Sequence, residues 1–131
     1  MFGLQEEGEV MDIYVDGSGW NGRCSRFAVY GGQVAPDKWM VAHIETFTEE
    51  RTVNEMEYMA ILYGLEVAKL GDRVLSDSQL VVNQLTKNWK LKAEHLRPLY
   101  NTARELLRVK GVTVKWVPRE ENLAGKVLER R

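Results

Sequence analysis

The stretch from Arg73 to Val82 constrains the fold more than any other. Val74 and Leu75 form a short apolar run, Asp77 ends it, and the residues from Ser78 onward take up helical spacing. A chain that changes from a period of two to one near 3.6 across a single acid is leaving a strand and entering a helix. In sheets with parallel strands, ligands and reacting groups gather at the carboxyl ends of strands, where loops leave room and the next helix offers its amides. Asp77 is therefore placed for chemistry. Two earlier acids stand in comparable places: Asp16 closes the run Met11-Asp12-Ile13-Tyr14-Val15, and Glu57 lies inside the helix-patterned segment from Thr52 to Leu70. Any one of them reads equally well as a helix cap or a solvated surface acid. The set of three carries the argument.

At 131 residues the chain has the length of one domain, 1–131. Such a domain buries roughly two-thirds of its unfolded surface without a disulfide or structural zinc. The lone Cys24 agrees with a reducing compartment. The chain shows no leader and no apolar run near the ~18 residues that a membrane helix requires, so a soluble cytoplasmic protein with no membrane partner is expected. The net charge of −1 hides an asymmetry. Residues 1–58 hold 11 acids and 4 bases, whereas residues 87–119 hold 9 bases and 2 acids. An acidic cluster able to hold cations beside a basic segment able to track phosphates suits a metal-dependent enzyme acting on a nucleic acid. Two solvated faces of opposite sign are the bland alternative.

Alternation predicts strands over Glu9–Val15, Cys24–Tyr30 and Trp39–Thr48, with residues 1–8 a loose lead-in and short loops favouring an antiparallel meander. The first helix is expected from Thr52 to Leu70, with Glu57 on the face of Ala60, Ile61 and Gly64 and Glu55 near solvent. Val74-Leu75 is the fourth strand and Ser78–Leu85 a short helix. Lys87 to Lys92 is a basic, aromatic linker. Leu96 to Leu107 forms an amphipathic helix that stops at Lys110-Gly111. Val112–Val117 is the fifth strand, and a last helix follows from Asn122. Trp39 and Trp116 read as core. His43 and His95 have no second ligand at metal spacing.

That order, with Asp-Gly-Ser after the first strand, Asn54-Glu55-Met56-Glu57-Tyr58 opening the first helix and Ser76-Asp77-Ser78-Gln79 after the fourth strand, resembles type 1 ribonuclease H from about Asp12 to Leu128. The compact linker at 87–92 is similar to short family members that lack a long basic protrusion. The resemblance implies an α/β ribonuclease H-like fold. Its five-stranded mixed sheet has strands 1–3 antiparallel, strands 4–5 parallel, and helices on both faces. It also implies an endonuclease that cuts the RNA strand of an RNA/DNA hybrid with two Mg2+ ions, Mn2+ being a possible substitute. Asp16, Glu57 and Asp77 match three acids of the family's four-carboxylate centre. The fourth, which opens the last helix a few residues after an asparagine, is replaced by Gly125. The amide oxygen of Asn122, the carboxylate of Glu121 or a water are the substitutes, and Asn122 is the one taken into the ligand set. Thr52, Asn54, Gln79 and Asn21 match positions that touch the hybrid, whereas Val53 stands where relatives often carry a second asparagine. The loop before the last helix offers Arg119 in place of a histidine.

Hydrolysing a phosphodiester in line needs an activated water, a neutralised phosphate and a stabilised leaving oxygen, and paired divalent ions about 3.5–4 Å apart supply all three. Oxygen ligands suit magnesium. Selectivity for RNA must come from 2′-hydroxyl contacts and groove shape, for which the turn amides at Gly17 and Ser18 and the Asn54 side chain are the readers. Trp89 either lies against the DNA strand, with Lys87, Lys90 and Lys92 on phosphates, or packs under its loop. A monomer is expected. The rival expectations are a hybrid-binding module that lost catalysis with the missing aspartate, and a DNA-directed nuclease or resolvase of the same fold.

Overall fold

In the structure, a computed structural model, residues 10–31, 33–35, 38–39 and 42–129 are described. The lead-in expected at 1–8 and the proposed strand start at Glu9 lie outside them. Five strands form the main sheet: β1 (Asp12–Ser18), β2 (Ser25–Gly31), β5 (His43–Phe47), β6 (Arg73–Ser76) and β7 (Thr113–Trp116), in the spatial order β5-β2-β1-β6-β7. The pairs β1/β2 and β2/β5 are antiparallel, whereas β1/β6 and β6/β7 are parallel. Four α-helices accompany them: α1 (Val53–Val67), α2 (Gln79–Lys87), α3 (Arg97–Lys110) and α4 (Leu123–Glu129).

Alternation along β1 assigns the two faces. Ile13 and Val15 point into the larger core with Phe27, Tyr58, Ile61, Leu65, Val81 and Ala103, on the face that α1 covers and to which α2 and α3 also contribute. Tyr14 points the other way, into a smaller cluster with Ala28, Ala124 and Leu128 of α4. Each large side chain fully buried there contributes about 1.5–3 kcal/mol. Several elements differ from expectation, and β1 itself runs past the expected end at Val15 to Ser18. The third strand is shorter than Trp39–Thr48, because the β2 ladder runs only from Ser25↔Phe47 to Val29↔His43. Trp39 pairs instead with Gln33 in a separate ribbon of β3 (Gln33–Ala35) and β4 (Lys38–Trp39). Trp116, expected in the core, is 44% exposed, since β7 is an edge strand with only Val114 of its four residues buried.

The helix ends follow local chemistry. Thr52 and Glu55 form a reciprocal capping box on α1, which satisfies two backbone donors at once. This gives Glu55 a structural task in place of a merely solvated one. The helix stops at Val67, before the expected Leu70, because the buried Asp72 accepts from the backbone N–H groups of Lys69 at 2.8 Å and Met11 at 3.1 Å and turns the chain into β6. Ser78 caps α2. Gly111, in the left-handed region at φ 66°, ends α3.

Candidate active site

The parallel register of the central strands brings two acids together. Val15 of β1 is paired with Ser76 of β6, so Asp16 and Asp77 are the next residues at the same carboxyl edge of neighbouring strands. The third acid depends on a close approach between α1 and β1. A Cβ on Gly17 would lie 2.4 Å from the Glu57 backbone nitrogen, and one on Gly64 would lie 2.9 Å from Val15 Cγ1. Glycine at both places lets the helix sit on the strand, and the Gly17 N–H donates to Glu57 Oε1 at 3.1 Å. One oxygen from each of Asp16, Glu57 and Asp77 lies within 4.8 Å of the others.

Three carboxylates this close and this buried repel one another. Asp16 is 4% and Glu57 5% exposed, and the Asp77 side chain is 7% exposed. Burial, followed by the charge of Asp77, pushes the Asp16 carboxyl up to about 7. Burial, then Asp16 and Asp77, pushes Glu57 up to about 9. Asp16 Oδ1 is buried without a hydrogen-bond partner. A buried carboxylate oxygen lacking both hydrogen and countercharge is costly. The all-oxygen donor set, with the exposed Arg119 as its neighbouring cation, fits a hard divalent cation.

Asn122 differs from the expected ligand. Its side chain is fully buried, but its Oδ1 accepts from the backbone N–H groups of Ala124 at 3.0 Å and Gly125 at 3.4 Å, capping α4. Its Nδ2 donates to Val15 O at 2.9 Å and to Asp77 Oδ2 at 3.1 Å. The amide thus turns donors toward the acids and keeps its oxygen for the helix, because four unpaired amides open any α-helix and the nearest acceptor serves them. The expectation that the Asn122 oxygen is a neutral metal ligand is corrected accordingly. Glu121, the other protein substitute considered, is exposed in the turn Arg119–Glu121. Gly125 itself faces the cluster: a Cβ there would stand 3.2 Å from Asp16 Oδ2. Arg119 is an exposed cation at the mouth, 4.0 Å from Asp77 Oδ2 and 3.9 Å from Glu129 Oε2. Glu129, which the sequence reading passed over, lies one helical turn after Gly125, and that i+4 spacing was the available signal.

The remaining candidates fall in two groups around the carboxylates. Gly17, Ser18, Asn21, Thr52 and Asn54 gather where the β1–β2 turn meets the start of α1, tied by Trp20 N–H to Arg51 O at 3.0 Å. Asn21 Oδ1 accepts from the N–H groups of Arg23 and Cys24, at 2.8 and 2.9 Å, and shapes the turn. Thr52 is committed to its cap. Trp20 and Val53, both exposed, line a recess of about 350 Å³ beside this group; Trp20 was not singled out from the sequence. Gln79 is exposed at the start of α2.

The second group is the linker, which is held at successive residues. Asn88 takes a left-handed conformation at φ 59° and accepts from Arg104. The Trp89 N–H donates to Asn83 O at 3.2 Å, and Leu91 is buried. The Lys90 carbonyl accepts from Gln84 Nε2 at 3.3 Å, and Gln84 Oε1 in turn accepts from the fully buried Tyr58 hydroxyl at 2.7 Å. Trp89 is 49% exposed, so about half of its surface is open to solvent. Lys90 and Lys92 are exposed beside it.

A family model described as reverse transcriptase-like matches residues 35–128. Bifunctional protein Rv2228c of Mycobacterium tuberculosis is 36% identical over 106 residues, covering 72% of this chain and 28% of that protein. A Mycobacterium bovis protein matches at the same identity and coverage. The chain therefore spans about 28% of the length of these curated relatives. Among solved structures, ribonuclease H1 of Halobacterium salinarum is 30% identical with a TM-score of 0.71, covering 92% of this chain and 94% of that one. The N-terminal ribonuclease H domain of Rv2228c shares the fold at 23% identity, with a TM-score of 0.72 and coverage of 92% and 96%. LC11-RNase H1, solved in complex with an RNA/DNA hybrid, does so at 22% identity and a TM-score of 0.70, with coverage of 90% and 92%. No helix among the described residues is long and apolar enough to cross a membrane.

Proposed function

The chain belongs to the reverse transcriptase-like family and has the ribonuclease H fold, and from this we propose that it is a metal-dependent endonuclease hydrolysing the RNA strand of RNA/DNA hybrids. The observation that carries the reading is the convergence of Asp16, Glu57 and Asp77 within 4.8 Å, with Asp16 Oδ1 buried and unpaired. That neighbours of the same fold include a ribonuclease H1 in complex with such a hybrid supports the choice of substrate.

Asp16, Glu57 and Asp77 hold the cation, magnesium with manganese as substitute, and a pair of ions is the expected stoichiometry. Divalent ions bound there supply an activated water, a neutralised phosphate and a stabilised leaving oxygen. Asn122 holds Asp77 in place by donating to its Oδ2, and Arg119 offers a cation to the arriving phosphate. Gly17, Ser18, Asn21, Thr52, Asn54 and Gln79 meet the hybrid on one side of the carboxylates. Trp89, Lys90 and Lys92 meet its DNA strand on the other, stacking and pairing with phosphates. Because the linker backbone is already tied down, binding loses little chain entropy at that place. Residues 1–131 act as one domain of the short form, with Gly125 at the family's fourth acidic position.

Incubation with magnesium or manganese and a labelled RNA/DNA hybrid, beside matched duplex DNA and duplex RNA, tests the reading. Cleavage of the hybrid's RNA alone, lost in Asp16→Asn and Asp77→Asn, is expected. Binding without cleavage would make the protein a hybrid-binding module, the reading favoured by Gly125. Cutting of duplex DNA would move it to the DNA-directed nucleases.

A further inference from the structure

We infer that Glu129 supplies the fourth carboxylate of this site, reaching back along α4 past Gly125 toward the Asp16 carboxylate. The inference deepens the nuclease reading and rests on it. Gly125 establishes which face of α4 looks at the acids, because a Cβ there would stand 3.2 Å from Asp16 Oδ2. Glu129 is four residues on and therefore shares that face. Helical side chains lean toward the N-terminus and cover the turn before their own Cα. The turn before Glu129 is the one at Gly125, whose own lack of a side chain lets the Asp16 carboxylate stand against the helix backbone.

Two further observations relate the Glu129 carboxylate to the cluster, although its oxygens are not among those within 4.8 Å of one another and it must swing inward to join them. Arg119 lies between it and Asp77, with one guanidinium nitrogen 3.9 Å from Glu129 Oε2 and another 4.0 Å from Asp77 Oδ2. A single planar head group thus spans the two acids, as a cation would. The charge of Glu129 is also among those that push the Asp16 carboxyl up. The buried Asp16 Oδ1, for its part, has no partner within the protein. With the Asn122 oxygen committed to the amides of Ala124 and Gly125, Glu129 is the acid of α4 on the facing side. Its longer side chain, set one turn further out, does what a shorter acid at position 125 would do. Arg119 holds it in reserve until a divalent cation competes for the same oxygens.

Calorimetric titration of the hybrid-free protein with Mn2+ and Mg2+ tests this without reference to catalysis. Glu129→Gln, an exposed substitution that leaves the core untouched, is expected to raise the binding midpoint about tenfold, the low end of what losing a ligand's partner costs in metal affinity. Adding Gly125→Asp to the Glu129→Gln protein is expected to restore the midpoint, because the acid is returned by the shorter route. A midpoint unchanged in Glu129→Gln, or a loss that Gly125→Asp does not repair, overturns the inference. If Asp16→Asn removes metal binding while Glu129→Gln leaves it intact, the three-carboxylate site stands and only Glu129 is dismissed. If the parent binds neither cation, the nuclease reading itself fails along with it.

Discussion

Replacing Glu57 by glutamine is expected to stabilise the metal-free protein in mildly alkaline solution while abolishing its activity. Glu57 is buried beside two other acids, which push it up to about 9 from an ordinary 4.5. Between these values the unfolded chain has lost the proton and the folded chain keeps it. The folded state then binds more protons, so its stability falls as pH rises through that window and is lowest above about 9. At about 1.4 kcal/mol per pH unit, counted from the ordinary 4.5, the loss at pH 8 has a ceiling of about 5 kcal/mol. Glutamine has the same shape, keeps an oxygen for the Gly17 N–H, and carries no titrating proton. Retaining half the ceiling, at about 4 °C per kcal/mol for a chain of this size, the variant melts about 10 °C above the parent at pH 8 in chelator. At pH 5, barely above the ordinary value, the two should melt within about 2 °C of each other. Thermal unfolding followed by circular dichroism at both pH values decides the matter. Adding Mg2+ at pH 8 should close the gap by stabilising the parent more than the variant. A variant less stable than the parent at pH 8, or a gain equal at both pH values, would refute the claim that mutual repulsion strains this site.

Asn122→Ala removes a helix cap, worth about 1 kcal/mol, and leaves the Val15 carbonyl without its side-chain donor, costing about 1–3 kcal/mol more; chemical denaturation should show the sum. Asn122→Asp keeps the capping oxygen but sets a carboxylate against Val15 O and Asp77, so it should be at least as unstable near neutral pH and recover in acid. Trp89→Ala should raise KM for the hybrid with little change in kcat, and Lys90→Ala should lower the slope of log affinity against log salt by about one phosphate contact. Tyr58→Phe leaves Gln84 Oε1 buried without its donor, and denaturation should show a loss of about 1–3 kcal/mol; the double variant Tyr58→Phe, Gln84→Leu should regain part of it.

Much of the fold was legible because periodicity reports directly on burial. Ile13 and Val15 alternate against Tyr14, and the main sheet divides them between its two faces as that pattern requires. The strand-to-helix switch at Asp77 and the helical position of Glu57 were visible as changes of spacing, whereas β1 runs two residues past Asp16, to Ser18. The convergence of the three acids follows from parallel pairing of β1 with β6 and from glycine at positions 17 and 64. Trp116 was misjudged because alternation marks a strand but not whether it stands at the edge of its sheet.

Local pattern was enough for a set of local choices: which segments are strands and helices, which acids stand near their ends, and where the basic linker falls. Tertiary structure decided which atoms those residues present. Asn122 is separated from Val15 by 107 positions, and no local pattern tells whether its amide offers an oxygen or its N–H groups to a neighbour that distant. The same holds for Glu129 over Gly125 and for Tyr58 reaching Lys90 through Gln84. Spacing sets the face on which a side chain lies, whereas its hydrogen-bonding partner depends on what the remainder of the chain has brought to that face.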